Sequence, residues 1–164
     1  MAVTTEIIRS YRAPRDVLRQ QLHAGVREDR ALVYLYAACL IILVSRLPAL
    51  ARQAHLDPSV PLEARIGGAL LAWLFIMPLV FYALAAVSHL VARMLGGQGN
   101  WYSARLALFW ALLASSPLWL LLGLIDGLIA AGPARGIVGA VCAAAFVTFW
   151  AAGLRETETA PVGA

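Results

Sequence analysis

Long apolar stretches alternate with short polar segments along most of the chain. Four of these stretches are long enough for a helix to cross a hydrocarbon core about 30 Å thick, which takes about 20 residues. They run over residues 31–51, 66–95, 103–131 and 134–154, and short segments rich in Arg, Gly and Pro separate them. The pattern predicts an all-α polytopic membrane protein, a helical bundle of four transmembrane helices in residues 31–154.

The third apolar stretch is interrupted near its middle. Pro117 follows Ser115 and Ser116, and a proline inside a helix removes one backbone hydrogen bond and bends the helix. Two separate pieces of about 14 residues would each be too short to cross a membrane. We therefore expect one transmembrane helix kinked at Pro117. A five-crossing arrangement, with the C-terminus on the opposite side from the N-terminus, is the alternative.

Residues 1–30 precede the first apolar stretch and are polar with short helical stripes. Apolar residues recur at intervals of four from Leu18, which is typical of one face of a helix. Pro14 suits a first helical turn, and Gly25 suits the end of the helix. We interpret this segment as an N-terminal amphipathic interfacial helix on the cytoplasmic lipid surface. The alternative is a solvated lead-in that only follows the positive-inside rule.

Composition supports integration into a membrane and indicates which kind of partner fits the charge of the chain. The chain is 62% hydrophobic and 13% charged, with a mean hydropathy of +0.77, whereas about a quarter of a soluble domain is charged. All 13 basic residues are arginine and the net charge is +4, too small and too scattered for nucleic acid binding. Anionic lipid headgroups fit this charge better.

The distribution of arginine predicts the orientation of the helices. With the N-terminus inside, nine arginines lie on the inner side and four on the outer side, so the positive-inside rule places both termini in the cytoplasm. Residues 155–164 then form a short cytoplasmic tail. The arginines expected to contact lipid headgroups at the cytoplasmic face are Arg9, Arg12, Arg15, Arg19 and Arg155.

Small residues form a stripe along the last apolar stretch. Close approach of membrane helices requires small side chains, because lipid provides no hydrophobic drive for helix association. A five-member stripe at intervals of four is less easily accidental than a single pair, and a tight turn at Gly132 and Pro133 favours packing within the chain. The predicted helix-packing or partner face consists of Gly136, Ala140, Ala144, Thr148 and Ala152, with the GxxxG pair Gly123 and Gly127 on the third stretch.

Asp126 is the acid placed within the third apolar stretch. It lies about 9 Å along the helix from the turn at Gly132, a shallow position where water or a basic partner can stabilise the charge. Arg46 and Arg135 are the candidate partners. A structural ion pair between helices is the favoured interpretation. A proton or cation site is the alternative, although a relay would need further ionisable groups along its path.

No motif in the sequence specifies a reaction. Metalloprotease, serine hydrolase, dinucleotide and phosphate-loop motifs are absent from the sequence, and no pair of histidines is spaced for a metal. Cys39 and Cys142 lie in apolar stretches without metal-binding spacing. We expect a protein that is not an enzyme and that has no cofactor.

Three segments of the chain have a distinctive order. They are "SYRAPRDVLRQQL" with Pro14 and Arg15, "GGQGNWYSARLALFWALLASSP" with Gly96, Gly97, Ser103 and Pro117, and "FWAAGLRE" with Gly153, Leu154, Arg155 and Glu156. Together they resemble the bacterial branch of the YIP (Ypt/Rab-interacting protein) family of small polytopic membrane proteins. The resemblance covers about residues 5–156. Eukaryotic members resemble trafficking factors that bind small GTPases and usually have five spans, whereas this sequence predicts four spans and a shorter N-terminal region.

The final tetrad of that resemblance also has a physical interpretation. Gly153 is expected to end the last helix, and Arg155 then complements the helix end at headgroup level. Glu156 is expected to pair with Arg93 or Arg105. A docking point for a cytoplasmic partner is the alternative to a cap and membrane stop.

Two classes of function follow from these patterns. The favoured one is a non-enzymatic scaffold or accessory protein that binds lipid, another membrane protein or a second copy of itself. The resemblance implies a location in the bacterial inner membrane. The alternative is a small transporter or channel that uses Asp126 and the Pro117 kink.

Overall fold

The computed structural model describes residues 3–128 and 133–159, and all regular elements in these ranges are helical. The turn at 129–132 and the tail beyond residue 159 lie outside the described residues. The helices are α1 (Val3–Ser10), α2 (Pro14–His23), α3 (Glu28–Leu56), α4 (Leu62–Leu71), α5 (Met77–Met94), α6 (Trp101–Ala114), α7 (Ser116–Leu128) and α8 (Pro133–Thr159).

Three of these helices are long and apolar enough to cross a membrane. They are α3, the continuous helix Leu62–Met94 and the Arg135–Thr157 part of α8. The pair α6 and α7 is bent by 45° at Ser115 and counts as a fourth crossing if the two helices form one span. The prediction of an all-helical membrane protein is confirmed at this level.

A π-helical turn joins α4 to α5 and lets the second long helix continue through a proline. Ala72–Ile76 forms this turn, and Pro78 follows two residues after its end. Proline has no backbone N–H and its ring crowds the preceding turn of an α-helix, and a wider π turn changes the hydrogen-bonding pattern at such a point. The helix Leu62–Met94 therefore stays continuous over 33 residues.

Helix α6 is the centre of the bundle. Almost all of its residues are buried, and it packs against α3, α5 and α8. Its start is fixed by a capping box, in which Ser103 N donates to Asn100 Oδ1 over 2.7 Å and Asn100 N donates to Ser103 Oγ over 3.1 Å. The segment before Trp101 therefore ends in a defined cap.

Helix α7 packs closely along α3, the most extensive contact between described helices. A Cβ atom at Gly123 would lie 1.9 Å from the carbonyl oxygen of Ser45, and one at Gly127 would lie 2.3 Å from Cβ of Pro48. No side chain fits at either glycine without moving the helices apart. The predicted GxxxG pair thus lies at a close helix contact.

The N-terminal helices pack against the bundle. Helix α2 begins at Pro14 as predicted, and Gly25 follows it with a positive φ of 87°. Val17 and Leu18 are buried where α2 meets α8 and α6.

The prediction that Gly153 ends the last helix is wrong, because α8 continues to Thr159. A Cβ at Gly153 would lie 3.2 Å from Leu18 and from Ala107. The glycine provides room for α2 and α6 at the surface of α8 rather than a helix cap.

We expect Gly123→Ala to destabilise the fold, because the new methyl group must push α7 away from the Ser45 carbonyl. Overpacking of this kind typically costs about 1–3 kcal/mol. Thermal unfolding of the purified protein in mild detergent measures the change. Gly68→Ala is the matched control, because a Cβ there has no atom within 4 Å. Equal unfolding temperatures for the two variants would contradict the close contact.

We expect Leu18→Ala to loosen α2 from the bundle, because its side chain is 1% exposed. Truncating a buried leucine typically costs about 2–5 kcal/mol. Hydrogen exchange should become faster in α2, while α6 keeps its protection. Val26→Ala is the control, since that side chain is 64% exposed. Unchanged exchange in α2 would mean that the contact does not hold this helix.

Candidate functional site

The bundle has two ends with different chemistry. The terminal end holds α1, α2, the start of α3 and the end of α8. The distal end holds the end of α3, the end of α7 and the start of α8. Charged side chains make contacts between helices at both ends.

At the distal end, Asp126 lies between two arginines from different helices. Arg135 Nε on α8 lies 2.8 Å from Asp126 Oδ1, and Arg46 Nη1 on α3 lies 3.8 Å from Oδ2. The shorter contact is an ion pair, since Asp126 Oδ1 accepts no hydrogen bond from the described residues. The Asp126 side chain is 8% exposed, against 41% for Arg46 and 61% for Arg135.

The close contact of α7 with α3 produces this arrangement. Gly123 and Gly127 bring the end of α7 against α3, and Asp126, in the same turn as Gly127, reaches Arg46. The two arginines suggested by the sequence are the ones found beside the acid. Pairing across three helices lowers the energy of a carboxylate in this poorly hydrated position.

A polar cleft of about 210 Å³ opens beside Asp126. The three arginines around it come from α3 and α8, and Asp126 is the one acid in its lining. Its lining residues are Arg46, Ala49, Arg52, Gln53, Leu56, Asp126 and Arg135.

At the terminal end, polar contacts fix the N-terminal helices. Arg19 Nε donates to Glu156 Oε1 over 2.7 Å, so Glu156 contacts α2, a helix that the sequence did not suggest as its partner. Arg105 pairs with Glu28 at the start of α3. These two ion pairs join α2 to α8 and α6 to α3.

A buried hydrogen bond adds to this packing. Trp110 Nε1 donates to Ser10 Oγ over 3.0 Å, and Ser10 Oγ donates to the Glu6 carbonyl over 2.9 Å. Sequence patterns could not reveal this pair, because a single serine beside the Pro14 segment carries no periodic signal. The arginines predicted to contact headgroups all lie exposed at this end: Arg9, Arg12, Arg15, Arg19 and Arg155.

The small-residue stripe of α8 does not pack within the chain. Gly136, Ala140, Ala144 and Thr148 are exposed, and Ala152 is half-buried. The expectation that this stripe contacts another span of the same chain is wrong. Among the described residues of α8, the buried ones are instead Cys142, Gly153, Glu156 and Thr157.

The described residues offer few side chains that could bind a metal ion or take part in a reaction. Within residues 3–128 and 133–159, no group of three or more His, Cys, Asp or Glu side chains is placed to hold a metal ion. Cys39 and Cys142 are buried and reduced. Ser115 Oγ donates to the Leu112 carbonyl over 2.9 Å, so its hydroxyl is used inside the helix.

Comparison with protein families gives one match that covers most of the chain. The family model described as the Yip1 domain matches residues 8–161. Neither the curated proteins nor the solved structures gave a match. The family resemblance seen in the sequence is confirmed by a match that extends from α1 to the end of α8.

We expect a double-mutant cycle of Asp126→Asn and Arg135→Gln to give a coupling energy of about 0.2–1 kcal/mol, because the exposed guanidinium is screened by solvent. Thermal unfolding in detergent measures the four variants. A second cycle of Asp126→Asn with Arg65→Gln is the control, because Arg65 pairs with Asp57 instead. A coupling of zero with Arg135 would show that the ion pair does not contribute to stability.

Proposed function

Because this chain belongs to the Yip1 domain family, we propose that it is a non-enzymatic scaffold or accessory protein of a membrane. Its partner is a transmembrane helix of another membrane protein. The partner binds along the exposed small residues of α8, while the rest of the bundle holds α8 in place. The observation that carries this proposal is the exposure of that stripe.

The topology of this proposal has four crossings. They are α3, the helix Leu62–Met94, α6 with α7 as one bent span, and α8. The arginine bias supports a cytoplasmic position for the terminal end. The membrane in this proposal is the bacterial inner membrane. The exposed arginines of α1 and α2 then face anionic headgroups of the cytoplasmic leaflet, where each basic residue contributes about 1 kcal/mol of attraction.

Helix α8 has the surface that a partner helix needs. Only 11% of its apolar segment is buried by the chain, against 44% for α3. Along the exposed side, a Cβ at Gly136 has no atom within 4 Å, and Thr148 Oγ1 donates to the Ala144 carbonyl within the same helix. The stripe therefore consists of small side chains, and its Thr148 hydroxyl already has a hydrogen-bond partner. Both features suit close contact with another helix.

The chain already uses small residues for close helix contacts. At Gly123 and Gly127 the backbone of α7 touches α3, whereas most of the equivalent stripe of α8 is exposed. Four exposed small positions at successive turns give a partner helix a longer contact than that glycine pair provides. The exposed stripe is thus the natural place for an intermolecular version of the same contact.

The surroundings of Asp126 and Ser115 do not support the transporter alternative. Asp126 is held between two arginines, and their positive charge opposes the binding of a further cation at the carboxylate. The Ser115 hydroxyl is used by the Leu112 carbonyl. A relay would need further ionisable groups between Asp126 and the bend at Ser115, and the described residues 116–125 of α7 contain none.

A photo-crosslinking amino acid at position 140, in cell membranes, tests the partner face. We expect an adduct with another protein, and we expect Ala144→Leu to abolish it because the larger side chain separates the helices. The same crosslinker at Ala83, which is exposed on α5, is the control for position. Ala83→Leu is the control for adding a bulky side chain to an exposed helix face. Asp126→Asn should leave the adduct intact.

The mass of the adduct identifies the partner class. An adduct of twice the chain mass would replace the proposed partner with a second copy. Adducts with lipid alone at position 140, or equal protein adducts at 83 and 140, would overturn the scaffold proposal.

A further inference from the structure

A groove of about 610 Å³ runs between α5 and α8 at the terminal end of the bundle. Helix α6 packs against both of these helices, so it separates them and leaves their outer faces as the two walls of the groove. Most of the walls is apolar. The apolar side chains are Leu84, Val87 and Val91 on α5, Leu95 at its end, and Trp150 and Leu154 on α8.

Small residues give the groove its depth. Ala92 on α5 and Ala151 on α8 line it, and Gly96 and Gly97 lie where it ends beyond α5. The Ser88 hydroxyl, also in the lining, donates to the Leu84 carbonyl over 2.6 Å, so it needs no further partner. The volume lies within the range of about 300–1,000 Å³ that is usual for binding sites of small molecules.

The groove is continuous with the lipid-facing surface of two membrane-spanning helices. Only 17% of the apolar segment of Leu62–Met94 and 11% of that of α8 is buried by the chain. On the α5 wall, Val87 and Val91 are 55% and 51% exposed. Apolar side chains at this surface contact hydrocarbon, because transfer of apolar surface out of water is favourable.

The length of the groove matches one leaflet of a bilayer. From Leu84 to Leu95 the helix rises about 16 Å at 1.5 Å per residue, and half of a hydrocarbon core of about 30 Å is about 15 Å. The groove ends at Gly96 and Gly97, where the long helix gives way to the polar segment before Asn100. It therefore extends from headgroup level towards the middle of the membrane, which is the direction of an acyl chain.

We propose that this groove binds one acyl chain of a phospholipid from the leaflet at the terminal end of the bundle. Side chains of two helices contact the acyl chain at once, and these individually small attractions add up over its length. The bulky Trp150 and Leu154 in the wall disfavour the close approach that a transmembrane helix would need. This binding depends on the membrane location of the protein and not on the proposed partner helix of α8.

Native mass spectrometry of the full chain in mild detergent, titrated with palmitoyl-oleoyl phosphatidylglycerol, tests the proposal. We expect one phospholipid bound per chain. Ala92→Phe should raise the apparent Kd at least about tenfold, because the ring occupies the space of the acyl chain and removes its packing contacts. Ala83→Phe is the matched control, since it makes the same change at an exposed position of α5 that does not line the groove.

Ala151→Phe fills the groove independently from α8, should Ala92→Phe fold poorly. Lysophosphatidylglycerol, which has a single acyl chain, should compete for the site, whereas glycerol phosphate should not. Ala144→Leu should leave the phospholipid bound, which separates this site from the partner face. The absence of a bound phospholipid, competition by glycerol phosphate, or an equal loss with Ala83→Phe and both groove variants would overturn the proposal.

Discussion

The contact between α3 and α7 is the constraint on which the distal half of the molecule depends. Helices in lipid gain no hydrophobic free energy by associating, so they need close packing. Gly123 and Gly127 supply it by letting the α7 backbone touch Ser45 and Pro48. This contact places Asp126 within reach of Arg46, and the pairing with Arg135 then ties α8 to the same end.

Helix α6 is the packing centre of the other half of the molecule. It is buried on nearly all sides, and the 45° bend at Ser115 lets one continuous segment serve first as the central helix and then as the partner of α3. Polar contacts at its start and side, the Asn100 cap and the Trp110 bond to Ser10, hold it and the N-terminal helices in register. The N-terminal segment is therefore part of the bundle as well as a basic surface.

Small residues have two different roles in this chain, and the difference explains where sequence reasoning failed. The glycines of α7 face α3, whereas the stripe of α8 faces outward. Both patterns have the same spacing, so spacing alone cannot say which one is used internally. Gly153 shows the same ambiguity, because it looked like a helix end and proved to be a contact with Leu18 and Ala107.

The sequence by itself determined the helical membrane class, the approximate helix positions, the start of α2 at Pro14 and the partners of Asp126. These features depend on local composition, periodicity and the scarcity of charge in apolar stretches. Only the tertiary structure decided that α6 is central, that Glu156 binds Arg19 and that the α8 stripe is exposed. Each of these depends on which helix faces match in space, and that is a property of the whole packed bundle rather than of any one segment.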